Sequence, residues 1–204
     1  MFSRSRALIL VRTADAGAVL AALGAYLRKW DFRPRDALPP GYRGAAGQEV
    51  RELYWRPADA TCPWTVLAIA DLQNALHTAY ALATALPKLP VLVSRAYRGG
   101  DWQLKVYHDK DCVLKVGDDP DHELAWVGRK LEADGIPALA QLLGGGAAFV
   151  QFLGDVLGGR PDPSDLEVGL SLPSLAVGFD EVRAQSLPGW TYGLYVHRTS
   201  PLWR

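Results

Sequence analysis

Charge asymmetry is missing from this 204-residue chain, in which 22 lysines and arginines meet 22 aspartates and glutamates. That balance removes the usual electrostatic footprint of a nucleic-acid binder or of a protein drawn to an anionic membrane. Long apolar runs are missing too. Near the N-terminus, Leu8 to Val11 sits among Arg4, Arg6 and Arg12 and is too short for a signal-peptide core or a membrane span. Cysteine is scarce, and Cys62 and Cys112 without a secretion signal read as reduced thiols in a cytoplasm, although the pair would bridge if the fold brought them together. Nucleotide motifs are absent in their specific forms. Gly144-Gly145-Gly146 precedes a helix as a phosphate loop would, but lacks the Lys-Ser or Lys-Thr ending, and Gly99-Gly100 reads as hairpin punctuation.

What is present is the composition of an ordinary globular chain, 49% apolar and 22% charged, long enough to bury a real core and short enough to favour one elaborated domain. Ala7 to Arg12 reads as a first strand. From Asp15 to Trp30, Val19, Leu20, Leu23, Tyr26, Leu27 and Trp30 recur at spacings of three and four, an amphipathic helix with Asp15 at its N-terminus and Arg28 and Lys29 in its last turn. Prolines and glycines from Arg33 to Gly47 predict a long surface loop. Gln48 to Arg56 and Trp64 to Ile69 read as strands, Asn74 to Leu86 as a helix with Leu76, Tyr80, Ala83 and Leu86 on one stripe, and Pro90 to Ala96 as a strand. The order β-α-β-β-α-β is that of the ferredoxin-like split unit. Trp102 to His108 and Cys112 to Val116 add a hairpin with a three-residue turn.

Beyond Gly117 the pattern turns helical. An acidic segment from Asp118 to Glu123 opens a helix carrying Leu124, Val127 and Leu131. Ile136 to Leu143, Ala147 to Leu157 and Leu175 to Gln185 follow as helices, Gly158 to Ser164 as a linker, and Trp190 to His197 as a last strand. The expected fold is therefore α+β: a ferredoxin-like core with an added hairpin over 1–117, and a helical extension with a final strand over 118–204 that packs on the core or on a partner.

His108, Cys112 and His122, among Asp109, Asp111, Asp118 and Asp121, make the best metal-like group, since imidazole, thiolate and carboxylate all bind divalent ions. The plainer reading is a solvated acidic turn, and no cofactor is expected. A thiol nucleophile needs a lowered pKa and an aligned base, which spacing does not show. His77 beside the second helix's stripe reads as a surface or core-edge residue. Most of the seven tryptophans read as core. The tail is the exception: Trp190, Tyr192, Tyr195, Trp203 and Arg204 concentrate the residue types that anchor interfaces, the alternative being a strand that closes the sheet.

Through Trp64-Thr65-Val66, the Ala79 to Leu86 helix segment and the Trp102 to Val116 hairpin, about half of the chain resembles small uncharacterised bacterial α/β proteins, some of which neutralise toxins or accompany defence systems. The resemblance implies a cytoplasmic, non-enzymatic module that binds another protein, a toxin or defence component in its most specific form, with neither nucleic acid nor membrane as partner. A homo-oligomer stays open. The alternative is a small-molecule-binding or hydrolytic ferredoxin-like enzyme using His108, Cys112 and His122.

Overall fold

A computed structural model describes residues 6–37, 50–72, 74–96, 102–117, 125–126, 129–130, 135–157, 163–175, 177–198 and 200. Among the described residues, ten strands and six helices follow in the order β1 (Arg6–Val11), α1 (Ala16–Lys29), β2 (Phe32–Arg35), β3 (Val50–Arg56), β4 (Thr65–Ile69), α2 (Ala75–Ala85), β5 (Val91–Ala96), β6 (Trp102–His108) and β7 (Asp111–Gly117). Then come β8 (Ala125–Trp126), β9 (Arg129–Lys130), α3 (Ile136–Leu143), α4 (Ala147–Leu157), α5 (Pro163–Gly169), α6 (Phe179–Gln185) and β10 (Thr191–His197). The fold is α+β. One sheet of eight strands runs β2-β10-β3-β4-β1-β5-β6-β7, and neighbouring strands are antiparallel throughout. That sheet is larger than the four strands of a βαββαβ unit. Among the described residues no helix is long and apolar enough to cross a membrane.

The central strands are mostly apolar and buried because both faces are covered, and alternation sends successive residues to opposite cores. In β1, Leu8 and Leu10 enter one core with Trp64, Val66, Leu92 and Leu104, and α3 to α6 cover it with Leu139, Phe149, Phe152, Leu166 and Val182. Ala7, Ile9 and Val11 enter the other with Leu67 and Val93, beneath Val19, Leu23 and Leu27 of α1 and Ala79, Leu82 and Ala83 of α2. Asp15 caps α1, accepting a hydrogen bond from Ala18 N at 2.9 Å.

Several sequence expectations are corrected. Arg33 to Arg35, placed in a surface loop, belong to the edge strand β2, and Pro34 opposite Tyr195 is tolerated because an edge strand leaves one side of its ladder unpaired. Residues 38–47 of that loop, and 48–49 of the strand expected after it, lie outside the described residues. Leu124, Val127 and Leu131, expected on a helix, lie outside the described residues, and between them Ala125 pairs with Lys130 and Trp126 with Arg129 in a short antiparallel ladder. The β6–β7 turn has two central residues, Asp109 and Lys110, at φ 48° and 75°, the left-handed pair that matches strand twist in a tight hairpin. A fifth helix, α5, begins at Pro163 within the expected linker, because proline suits the first helical position, where its missing N–H is no loss.

Candidate binding site between two helices

The site is built on the outward side of α1 and α2. The buried rows of residues four apart are Val19, Leu23 and Leu27 in α1, and Ala75, Ala79 and Ala83 with Thr78 and Leu82 beside them in α2. The next row on each helix is turned outward: Ala22, Tyr26 and Trp30 on α1, with His77, Ala81 and Ala85 on α2. Alanines here leave space between the helices, and a cavity of about 630 Å³ opens among them, with Tyr80 and Thr84 on its far wall. Trp30, expected to close the buried stripe, is 63% exposed, and Tyr80, also placed on a buried stripe, is 49% exposed. Tyr80 meets the Tyr107 ring edge-on at 5.9 Å.

A second cavity of about 440 Å³ shares Tyr26, Trp30 and His77 with the first and continues past the end of α1 over the strand ends. Its floor comes from β2, β3 and β10, as Phe32, Arg51 and His197, and its far wall from Asn74 and Thr78 of the α2 N-terminal turn. The Arg51 guanidinium lies 4.7 Å from the Phe32 ring centroid, and that ring meets His197 edge-on at 5.2 Å. Arg51 Nη1 is 3.1 Å from Asp71 Oδ2, and both side chains are largely buried, at 18% and 13% exposure. Asp71 is held by Asn74, whose Nδ2 donates at 2.5 Å and whose backbone N–H donates at 3.2 Å. Burial lowers the Arg51 pKa, against the raising effect of Asp71, and burial raises that of Tyr26, against the lowering effects of Arg51 and of a hydrogen bond from Trp30. The site thus offers aromatic and aliphatic walls with one desolvated cation at its inner end.

The residues proposed from sequence lie elsewhere. His108 faces Asp111, and Cys112 faces Tyr107 across the β6–β7 ladder, so alternation turns His108 and Cys112 to opposite sides of the sheet. His122 lies outside the described residues, among which no group of three metal-binding side chains occurs. The Cys112 thiol donates to Leu114 O at 3.4 Å, and burial pushes its pKa up, away from the thiolate that nucleophilic catalysis needs. Cys62 belongs to the other core, so the two free thiols are separated by the sheet.

Of the tail candidates, Trp203 and Arg204 lie outside the described residues. The strand β10 is internal, between β2 and β3. Trp190 packs against the core beneath α3 to α6, and Tyr195 packs against the core beneath α1. Tyr192 stacks at a tilt on Tyr54, 5.3 Å between centroids, and donates to Glu52 Oε1 at 2.7 Å. Burial and that carboxylate raise its pKa. The described tail aromatics are therefore divided between the two faces of the sheet and do not form one patch.

Sequence reasoning missed Trp30 and Tyr80 as exposed aromatics, and Arg51. The available signal was the second row of residues four apart, Ala22-Tyr26-Trp30, beside the buried row Val19-Leu23-Leu27. No protein-family model, curated protein or solved structure matches the chain.

Proposed function

We propose that the chain is a cytoplasmic, non-enzymatic module that binds a partner protein on the α1/α2 face, with an immunity or defence-accessory role as its most specific form. The observation that carries this reading is the pair of large aromatics, Trp30 and Tyr80, left exposed around one groove floored by alanines. Tryptophan and tyrosine around a desolvated pocket are the residue types that dominate interface energetics. Two free cysteines on opposite faces of the sheet fit a reducing compartment. A ferredoxin-like ancestry for the scaffold belongs to the same reading, supported by the contiguous order β3-β4-β1-β5 with α1 and α2 on one face. In that view β2, β10, β6 and β7 extend the sheet and α3 to α6 cover its other face.

The test places a photo-crosslinking amino acid at Ala81, inside the groove, and at Val168, which is 72% exposed on α5 in the opposite layer. The reading expects a discrete partner crosslinked from position 81 in host extract, displaced by excess unlabelled protein but not by a Trp30→Ala/Tyr80→Ala variant. Equal crosslinking from position 168, or equal displacement by the variant, would overturn it.

A further inference from the structure

Burying Arg51 beneath an aromatic cavity is costly, because a guanidinium that loses water must regain its interactions from protein groups. Asp71 supplies one. Yet Arg51 Nη1, although 3.1 Å from Asp71 Oδ2, makes no hydrogen bond of good geometry. Of this pair only Arg51 lines the cavity. The remaining charged or ionisable groups around the two adjoining cavities are Lys29, His77, His197 and the Tyr26 and Tyr80 phenols, and among the described residues no carboxylate lines either one. The N-terminal turn of α2 adds the positive end of a helix dipole to the same wall, as Asn74 and Thr78. The groove leading away between α1 and α2 is different in character, floored by alanines and bounded by Trp30 and Tyr80.

We propose, building on the protein-binding reading, that the partner segment seated here is acidic where it crosses the C-terminal end of α1, placing an Asp or Glu carboxylate against Arg51, and apolar where it follows the α1/α2 groove. The carboxylate adds a second anion to a guanidinium that the fold has already desolvated and fixed on Phe32. Planar, two-pronged pairing suits arginine better than lysine, so lysine at position 51 should be a poor substitute. The apolar residues beside that carboxylate cover Trp30 and Tyr80.

The experiment pans phage-displayed short random peptides against the intact chain and measures the enriched ones by fluorescence anisotropy. Peptides in which Asp or Glu adjoins apolar residues are expected. Changing that acid to its amide should weaken binding on the order of tenfold or more, as should Arg51→Gln, and the two changes together should cost little beyond either alone. Because Arg51→Gln leaves Asp71 without its cation and risks the fold, His77→Glu serves as a second variant. It sits on an exposed position shared by both cavities and should weaken acidic peptides while sparing their amide forms.

Enriched peptides without acids, bound through Trp30 and Tyr80 but indifferent to both variants, would overturn the carboxylate seat and leave the protein-binding reading standing. No enrichment over a Trp30→Ala/Tyr80→Ala control would overturn both. Octanoate binding abolished by Arg51→Gln, with no peptide enriched, would instead make this a small-molecule site.

Discussion

Helices α3 to α6 are fastened to their face of the sheet by long-range directional contacts as well as by apolar burial, whereas α1 and α2 lie on the other face mainly through small and branched side chains. On the first face, Trp64 Nε1 donates to Leu170 O at 3.0 Å, Arg12 Nη1 donates to Leu142 O at 3.3 Å, and Arg6 pairs with Glu181 at 3.4 Å. Glu181 also accepts from Gly178 N at 3.0 Å and so caps α6. Gly144 ends α3 at φ 62°, and a Cβ there would meet Arg12 Nη2 at 1.9 Å, so only glycine allows the arginine to reach the helix C-terminus. Gly169 does the same for helix packing, since its Cβ would fall 2.4 Å from Phe149 N. On the second face, Ala75, Ala79 and Ala83 bring α2 close to the strands, and the large residues of that layer, Trp30 and Tyr80, are left outside. One layer closes the protein; the other presents a surface.

The sharpest way to break this contrast is at Trp64, whose ring is fully buried and whose indole holds Leu170. Trp64→Ala should cost about 3–5 kcal/mol, because a large cavity opens and a buried carbonyl loses its donor. Denaturant unfolding reads this directly. A variant that unfolds near the wild-type midpoint would show that the layer is not fastened as described.

An intermediate effect is expected at Tyr107, on the α2 side. Burial, followed by the neighbouring Cys112, pushes its phenol up to about 12, from an ordinary value of 10.0. Between those two values the folded chain keeps a proton that the unfolded chain has lost, so stability is full below pH 10 and falls as pH rises toward 12. Allowing for solvent screening, the loss is about 1–2 kcal/mol. Tyr107→Phe should flatten that part of the pH–stability curve, and an unchanged slope would assign the alkaline loss to other groups.

A smaller effect is expected at Asp15. Replacing it with alanine removes the acceptor for Ala18 N and should lower stability by about 1 kcal/mol, read from the same unfolding curves. Asparagine, which keeps an acceptor oxygen, should restore most of the loss.

How much of this was legible follows from what each residue competes with. The strands β1, β4 and β5 and the helix α1 were readable because their periodicity and the Asp15 cap agree with one another. The apolar α3 and α4 were readable for the same reason. Pro34 disguised β2, since proline signals a loop unless the strand is known to be an edge, and edge position is a tertiary fact. The spacing of Leu124, Val127 and Leu131 imitates a helix, while at the described positions Ala125, Trp126, Arg129 and Lys130 the chain forms a strand ladder. In α2, alanine is so frequent that two adjacent stripes look equally apolar, so the expected stripe took in Leu76 and Tyr80 and, of the buried row Ala75, Ala79 and Ala83, only Ala83. Arg51 was invisible as a site residue because its neighbours Phe32, His197 and Asn74 come from three distant segments.

The smallest expected change in stability tests the contrast from its other side. Trp30 is large, but most of its surface stays in water, and it closes no core. Trp30→Ala should therefore shift the unfolding free energy by only about 0.5 kcal/mol, the range for exposed positions, even though the same truncation at Trp64 is severe. Its hydrogen bond to Tyr26 is partly exposed to solvent competition and adds little. Binding should respond in the opposite sense, with a loss of about 2 kcal/mol or more if Trp30 is an interface anchor. Measuring melting and partner crosslinking on the same variant separates the two quantities. A Trp30→Ala chain that melts far below wild type would place this residue among the groups that hold α1 to the sheet, and the α1/α2 face would then be structural in the same way as its opposite.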